Sequence, residues 1–127
     1  MRRSWKYGEP TMSDEKVSRL QIRFTAAAKA HHDAIESMDE VRAVSHARLI
    51  EGLACSLRQL GDAGHGAVMA LLACDEDAVA GMAAVCFIRS HTENSVAILR
   101  RLSEKHDLLG FRASVALERW EAGEWGP

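Results

Sequence analysis

VMALLACDEDAVAGMAAVCFI at residues 68–88 and VAILRRLSEKHDLLGFRASVAL at residues 96–117 can be laid over each other, and this match decides the fold. The offset is 28 residues in the first half and 29 in the second, after a one-residue insertion. In both segments, apolar residues recur three and four positions apart on either side of a charged stretch, which predicts two helices. Because neither pair could bury its apolar face alone, the sequence predicts stacked helix pairs. The matched positions are Val68 with Val96, Leu71 with Leu99, Gly81 with Gly110, Met82 with Phe111, Ala84 with Ala113 and Ile88 with Leu117.

Local signals set the limits of these helices. Gly81 and Gly110 lie early in the second helix of each pair, where a missing side chain lets two helices approach closely. Any two amphipathic helix pairs would align to a similar extent, so that alternative to a true repeat stays open. The helices are expected at about residues 67–74, 77–90, 93–105 and 108–122, with Asp75 or Asp77, Thr92 and Asp107 as N-terminal caps and Gly123 as the C-terminal glycine.

Two longer apolar stripes precede the repeat and predict a helical hairpin. The Ser37 to Glu40 segment, SMDE, matches the capping box that opens a new helix, and Ser13 can cap the first one. The GDAGHG segment, residues 61–66, is expected to be a flexible connection. The first stripe contains Val17, Leu20, Phe24, Ala27, Ala28, His31, Ile35 and Met38, and the second contains Val41, Val44, Leu49, Leu53, Leu57 and Leu60 beside Ile50 and Ala54.

Length and composition support one all-α domain. The chain has 127 residues, and its two prolines, Pro10 and Pro127, leave the region between them without a residue that forbids helical hydrogen bonding. Ala and Leu outnumber the β-branched residues, which favours helices. We therefore expect a flexible tail at residues 1–12, with Met12 as an alternative start. Residues 13–127 should form a single domain of about six helices, a long hairpin followed by two helix pairs in an α-α superhelix.

Composition also disfavours several classes of protein. The most apolar stretch, Val79 to Ile88, is too short to span a membrane, and residues 1–12 lack a secretory signal, so a cytoplasmic location is expected. Without the first twelve residues the formal charge is −4, which disfavours nucleic-acid binding. The three cysteines lie in apolar surroundings without metal-binding spacing and are expected to be reduced core thiols; they are Cys55, Cys74 and Cys86.

The two most specific segments also carry a resemblance. The long hairpin, LLACDEDAVAGMAAVCFI and the C-terminal LLGFRASVALERWEAGEW are similar to the bacterial family catalogued as domain of unknown function 2019. The resemblance spans roughly residues 15–125. It implies a small all-helical domain with HEAT-like repeats, and little about its chemistry. Small HEAT-like domains are commonly interaction modules, including some that neutralise toxins, so the resemblance implies a protein partner.

Candidate partner contacts lie at one edge of the predicted stack and at the C-terminus. Asp75, Glu76 and Asp77 form the densest charge cluster, and the loop that contains Lys105 should lie along the same edge. A solvated capping loop is the alternative for this cluster. Trp125, beyond Gly123, could fold back as a lid or stay exposed as an interface anchor.

The sequence predicts no cofactor, metal or catalytic residue. His31 and His32 should point to different sides of a helix, and His91 and His106 are explained by helix C-termini. No nucleophile elbow or phosphate-binding loop occurs. An interaction domain that binds a protein or self-associates is therefore the first hypothesis. The alternatives are an enzyme with a dispersed site and a nucleic-acid binder that uses Arg100, Arg101, Lys105 and Arg112 with Arg2, Arg3 and Lys6.

Overall fold

The structure is a computed structural model that describes residues 12–125, with side chains from Asp14 onward. Within that range the chain is all-helical and contains no strand, as predicted. The residues before Met12, including the three basic residues of the expected tail, lie outside the described part. The six helices are α1 (Met12–Glu36), α2 (Glu40–Gln59), α3 (Asp62–Leu72), α4 (Asp77–Cys86), α5 (Thr92–Ser103) and α6 (Leu108–Glu121).

The α1–α2 hairpin turns at Met38, which has a left-handed backbone with φ of 58°. The Asp39 amide donates to the carbonyl of Ala34 at 2.9 Å, and the Met38 amide donates to that of Ile35 at 3.1 Å. These two bonds form a Schellman motif, which usually has glycine at the left-handed position. The hairpin is thus confirmed. Its connection has three residues, and a methionine occupies the left-handed position that favours glycine.

The predicted capping box at this turn is wrong. Asp39 is the N-cap of α2, and its carboxylate accepts from the Arg42 amide at 3.1 Å. The Ser37 hydroxyl instead donates back to the carbonyl of Asp33 at 2.6 Å. Because Met38 already reverses the chain, the residue that follows it is the one placed to cap α2.

Three other predicted caps differ from the structure. α1 already includes Met12, so Ser13 lies inside its first turn, and Thr92 is the first residue of α5, where its hydroxyl donates to the Ile88 carbonyl at 2.6 Å. Glu76 rather than an aspartate precedes α4. The caps expected for α6 are confirmed: Asp107 accepts from the Gly110 amide at 2.9 Å, and Gly123 ends the helix with φ of 74°.

The glycine-rich segment after α2 is helical, not a flexible connection. α3 begins at Asp62, directly after Gly61, whose φ of 57° and ψ of −127° suit glycine. Gly64 is buried, and a Cβ added there would overlap the carbonyl oxygen of Leu57 on α2. This glycine therefore lets α3 pack against the end of α2, a role that composition alone does not distinguish from flexibility.

The core is one cluster that runs through all six helices. α1 packs along α2, α3 and α4, and the pair formed by α5 and α6 continues the stack from α4. A Cβ on Gly81 would lie 3.1 Å from a methyl of Leu102, so α4 and α5 approach closely there, as expected. Gly110 has a different role, because a Cβ there would overlap the Lys105 carbonyl in the preceding loop. The most deeply buried side chains are Phe24, Ile50, Leu57, Leu71, Val79, Phe87, Ile88, Ser95, Leu99 and Leu102.

Three predictions of burial fail, the first of them at Met38 of the first stripe, which is 90% exposed at the α1–α2 turn. Val41, Val44 and Leu49 of the second stripe are exposed, because the first half of α2 extends past the rest of the stack and buries only Ala43. Cys55 is exposed rather than in the core, while Cys74 and Cys86 are half-buried; all three are free thiols. Burial raises the pKa of the Cys86 thiol to about 12.

Candidate functional site

A partly enclosed cavity of about 350 Å³ lies between α1, α4, α5 and α6. We call it the α1–α6 cavity. Gly81 and the small side chains of Ala28, Ala78, Ala113 and Ala116 leave this space where larger side chains would fill it. The volume is at the lower end of the range of small-molecule sites, roughly 300–1,000 Å³. The rest of its lining consists of His31, His32, Met82, Val85, Leu99, Leu102, Leu109, Phe111, Arg112, Val115, Arg119 and Trp125.

Two adjacent histidines of α1 line this cavity. His31 is only 6% exposed, and its Nδ1 has no hydrogen-bond partner among the described residues. Burial, then the positive charge of Arg112, lowers the pKa of His31, so its ring is neutral at pH 7. The Nε2 of His32 lies 3.4 Å from a carboxylate oxygen of Glu36, while its Nδ1 is buried without a partner. The two rings are expected on different sides of the helix, and both of them line this cavity.

Arg112 supplies a positive charge to the cavity from α6. Its side chain is half-buried, and desolvation lowers the pKa of its guanidinium. Among residues 12–125 no ion pair includes Arg112. The other arginine of the lining, Arg119, lies about two turns further along α6, and its Nε is 3.9 Å from a carboxylate oxygen of Glu124. The lining contains no carboxylate. The cavity therefore combines apolar walls with an uncompensated cation.

Trp125 folds back over one side of this cavity. Its ring meets Trp120 edge to face at a centroid distance of 6.1 Å, and its carbonyl accepts a hydrogen bond of 2.6 Å from Arg89 Nη2. Of the two arrangements left open by the sequence, the structure therefore has the lid. Trp120 is half-buried and packs against the core.

α6 carries three exposed apolar residues, two of which, Phe111 and Val115, also line the cavity. Leu108, Phe111 and Val115 recur at helical spacing and are 38%, 65% and 37% exposed. We call these three residues the α6 face. Sequence analysis paired Phe111 with Met82 in the repeat, but Met82 packs against the core and Phe111 does not.

The charged cluster predicted at the edge of the stack is held by ion pairs. Asp77 lies 3.2 Å from both Arg101 and Lys105, and Glu76 lies 3.7 Å from Lys29 of α1. Burial would raise the pKa of Asp77, but hydrogen bonds from Lys105 and Arg101 outweigh it and lower that pKa. The two loops thus meet as expected, whereas Asp75 makes none of these contacts. Their role as partner contacts stays a prediction.

A histidine pair joins the two helix pairs on another surface. His91 is the N-cap of α5 rather than a C-terminal residue, and its Nε2 lies 3.1 Å from Nδ1 of His65 on α3. The rings stack at 5.1 Å, and Ser90 Oγ lies 2.8 Å from the other nitrogen of His91. Within the described range, no three side chains of metal-binding type come together.

The α1–α6 cavity was not predicted as a site from the sequence. The available signal was Arg112, an arginine inside the apolar pattern of the last helix, together with His31 in the apolar stripe of α1. Chemically, the cavity offers the guanidinium groups of Arg112 and Arg119, the imidazole rings of His31 and His32, and apolar walls, but its lining holds no serine, threonine, cysteine or carboxylate. That set of groups suits binding better than nucleophilic catalysis.

No helix in residues 12–125 is both long and apolar enough to cross a membrane. Comparison with protein-family models, with curated proteins and with solved structures finds no match for the chain.

Proposed function

We propose that the protein is a non-catalytic interaction module with HEAT-like helix pairs, which binds a helix of a partner protein on the α6 face. One observation carries the proposal: Phe111 is a large apolar side chain, 65% exposed, on the last helix of the stack. Exposed apolar clusters of this kind mark interaction surfaces.

The internal repeat indicates what covers such a face. The positions of α4 that correspond to Leu108, Phe111 and Val115 are Val79, Met82 and Cys86, and all three pack against the core. α4 is followed by the helices α5 and α6, whereas the described chain provides no further pair beyond α6. A helix with apolar side chains three and four residues apart would therefore suit this face, in the helix-in-groove manner.

A separate partner is a better occupant than a second copy. A copy that docked as a further repeat would leave its own α6 face open, and such head-to-tail contacts form open chains or rings. An adaptor or a toxin-neutralising protein, the roles implied by the resemblance of residues 15–125, would use one such partner. The same resemblance also supports the assignment of the helix pairs as HEAT-like.

Co-purification with a matched pair of variants tests the proposal. Phe111→Ser removes the centre of the α6 face, and Ile22→Ser removes an apolar side chain of α1 that is also 65% exposed. Tagged wild type expressed in the native host should retain a stoichiometric protein, which Phe111→Ser should lose and Ile22→Ser should keep.

Two outcomes would overturn the proposal. One is a partner that both variants retain. The other is light scattering in which pure wild type self-associates and Phe111→Ser is monomeric, which would assign the face to a second copy.

A further inference from the structure

The α1–α6 cavity contains polar groups that the fold itself leaves without partners. His31 is more than nine-tenths buried, and its Nδ1 forms no hydrogen bond with the described residues. Buried polar atoms are normally paired, so an isolated one that lines a cavity points to a missing partner.

The charge of the cavity defines that partner further. Arg112 adds a full positive charge that burial has partly desolvated, and no carboxylate lines the cavity to balance it. A desolvated guanidinium without a counter-ion is costly, and its planar fork matches the two oxygens of a carboxylate. Since the second arginine of the lining faces Glu124, a single negative charge is the better match, and a phosphate dianion would exceed it.

We propose that the α1–α6 cavity binds a small organic acid, an apolar body with one carboxylate, whose oxygens accept hydrogen bonds from Arg112. The inference goes beyond the proposed function, because it assigns a small-molecule ligand to the cavity, whose lining includes Phe111 and Val115 of the α6 face. His31 supplies a neutral donor at the inner end, and Met82, Val85 and Leu102 contact the apolar body. A volume of about 350 Å³ suits a free molecule better than a single side chain of a partner.

The wall formed by Trp125 is consistent with a small-molecule ligand in the cavity. Trp125 covers one side and is held by its carbonyl bond to Arg89 and by the ring of Trp120. Because Arg89 and Trp120 hold Trp125 in place, this wall of the cavity is formed without the ligand.

Calorimetry with two acids and their amides tests the inference. The probes are octanoate and 4-phenylbutanoate, each compared with the uncharged amide of the same shape, at neutral pH with the full chain. Wild type should bind at least one acid about tenfold or more tightly than its amide, as a charge-assisted hydrogen bond to arginine implies. Arg112→Gln should remove this preference while it still binds the amide, and Arg100→Gln, a change in an exposed arginine of α5 outside the lining, should keep it.

The contrary results are equally specific. Wild type that binds neither acid, or that binds amide and acid equally, would overturn the inference, as would an unchanged preference in Arg112→Gln. Circular dichroism of each variant verifies that it folds. The acid preference is measured without the partner, and partner retention is measured without an added acid, so failure of one proposal is distinguishable from failure of the other.

Discussion

Met38 and Gly123 occupy the same position in two copies of one motif. Both lie just past a helix end with positive φ, 58° and 74°, and the Glu124 amide bonds the carbonyl of Arg119 as the Asp39 amide bonds that of Ala34. Glycine adopts this conformation freely, whereas other residues incur a steric cost. The turn after α6, with glycine at this position, is therefore a reference for the turn between α1 and α2, which has methionine there.

Met38→Gly should stabilise the protein. The side chain is 90% exposed, so its removal sacrifices little burial, and relief of the left-handed strain should raise the free energy of unfolding by about 1 kcal/mol. Urea denaturation followed by circular dichroism measures the change. Gly123→Ala is the reverse experiment and should lower stability by a similar amount; a less stable Met38→Gly would contradict the assigned strain.

The histidine pair predicts a loss of stability in mild acid. Burial, then His65, lowers the pKa of His91 below its ordinary 6.5, so the unfolded chain binds more protons than the folded one just below that pH. The stability that neutral His91 contributes is complete above pH 6.5 and is lost as the pH falls through 6.5 to the lower folded value. The lowered pKa of His31 acts in the same direction.

Melting temperatures at pH 7.5 and 5.5 test this assignment. Wild type should lose more degrees between these conditions than His91→Gln, in which the titrating group is gone. His106→Gln, a change in an exposed histidine, should behave as wild type does. An equal loss in His91→Gln and wild type would show that the pair does not carry the dependence.

At the level of the helix, α3 shows two glycines with opposite roles. A Cβ on Gly64 would overlap the Leu57 carbonyl, while a Cβ on Gly66 would meet nothing within 4 Å. Gly64→Ala should therefore cost roughly 1–3 kcal/mol through forced displacement of α3. Gly66→Ala should add roughly 0.5–1 kcal/mol by favouring the helix. Urea denaturation of both variants checks the pair, and a neutral Gly64→Ala would contradict the close packing of α2 and α3.

The same helix shows where sequence reasoning succeeds and fails. Periodicity identified all six helices because their apolar spacing is determined by burial against neighbours. The start of α3 was placed five residues late, since glycine signals both flexibility and close approach, and only the position of Leu57 distinguishes them. The exposure of Val41 and Val44 was missed for a related reason: their spacing is helical, but the stack does not extend to cover them.

Across the whole molecule, one continuous core predicts one unfolding transition. Leu71 of α3 is 1% exposed, and Leu71→Ala should lower the free energy of unfolding by roughly 2–5 kcal/mol. Tryptophan fluorescence, which includes Trp120 on α6, should give the same urea midpoint as circular dichroism. Glu76→Ala, in an exposed ion pair, should change little. A Leu71→Ala midpoint near that of wild type, or separate transitions for the two signals, would contradict a single core.

The candidate site was less predictable than the fold. Its residues come from α1, α4, α5, α6 and Trp125, and their proximity depends on how the two helix pairs stack on the hairpin. Sequence spacing places Arg112 and His31 on their own helices but 81 positions apart in the chain. The ion pairs of Asp77 with Arg101 and Lys105 could be predicted, because the two loops occupy equivalent positions in the repeat. The cavity also needs α1, which lies outside the repeat.

Labelling of the cysteines can report on the protection of the C-terminal end of α4. Cys86 is half-buried, and burial raises the pKa of its thiol to about 12, so Cys86 should react with a maleimide slowly at neutral pH. Cys55, exposed on α2, should be alkylated at once. The difference between the two labelling rates therefore reports how strongly the neighbours of α4 protect Cys86, and a ligand that slows the second label alone increases that protection.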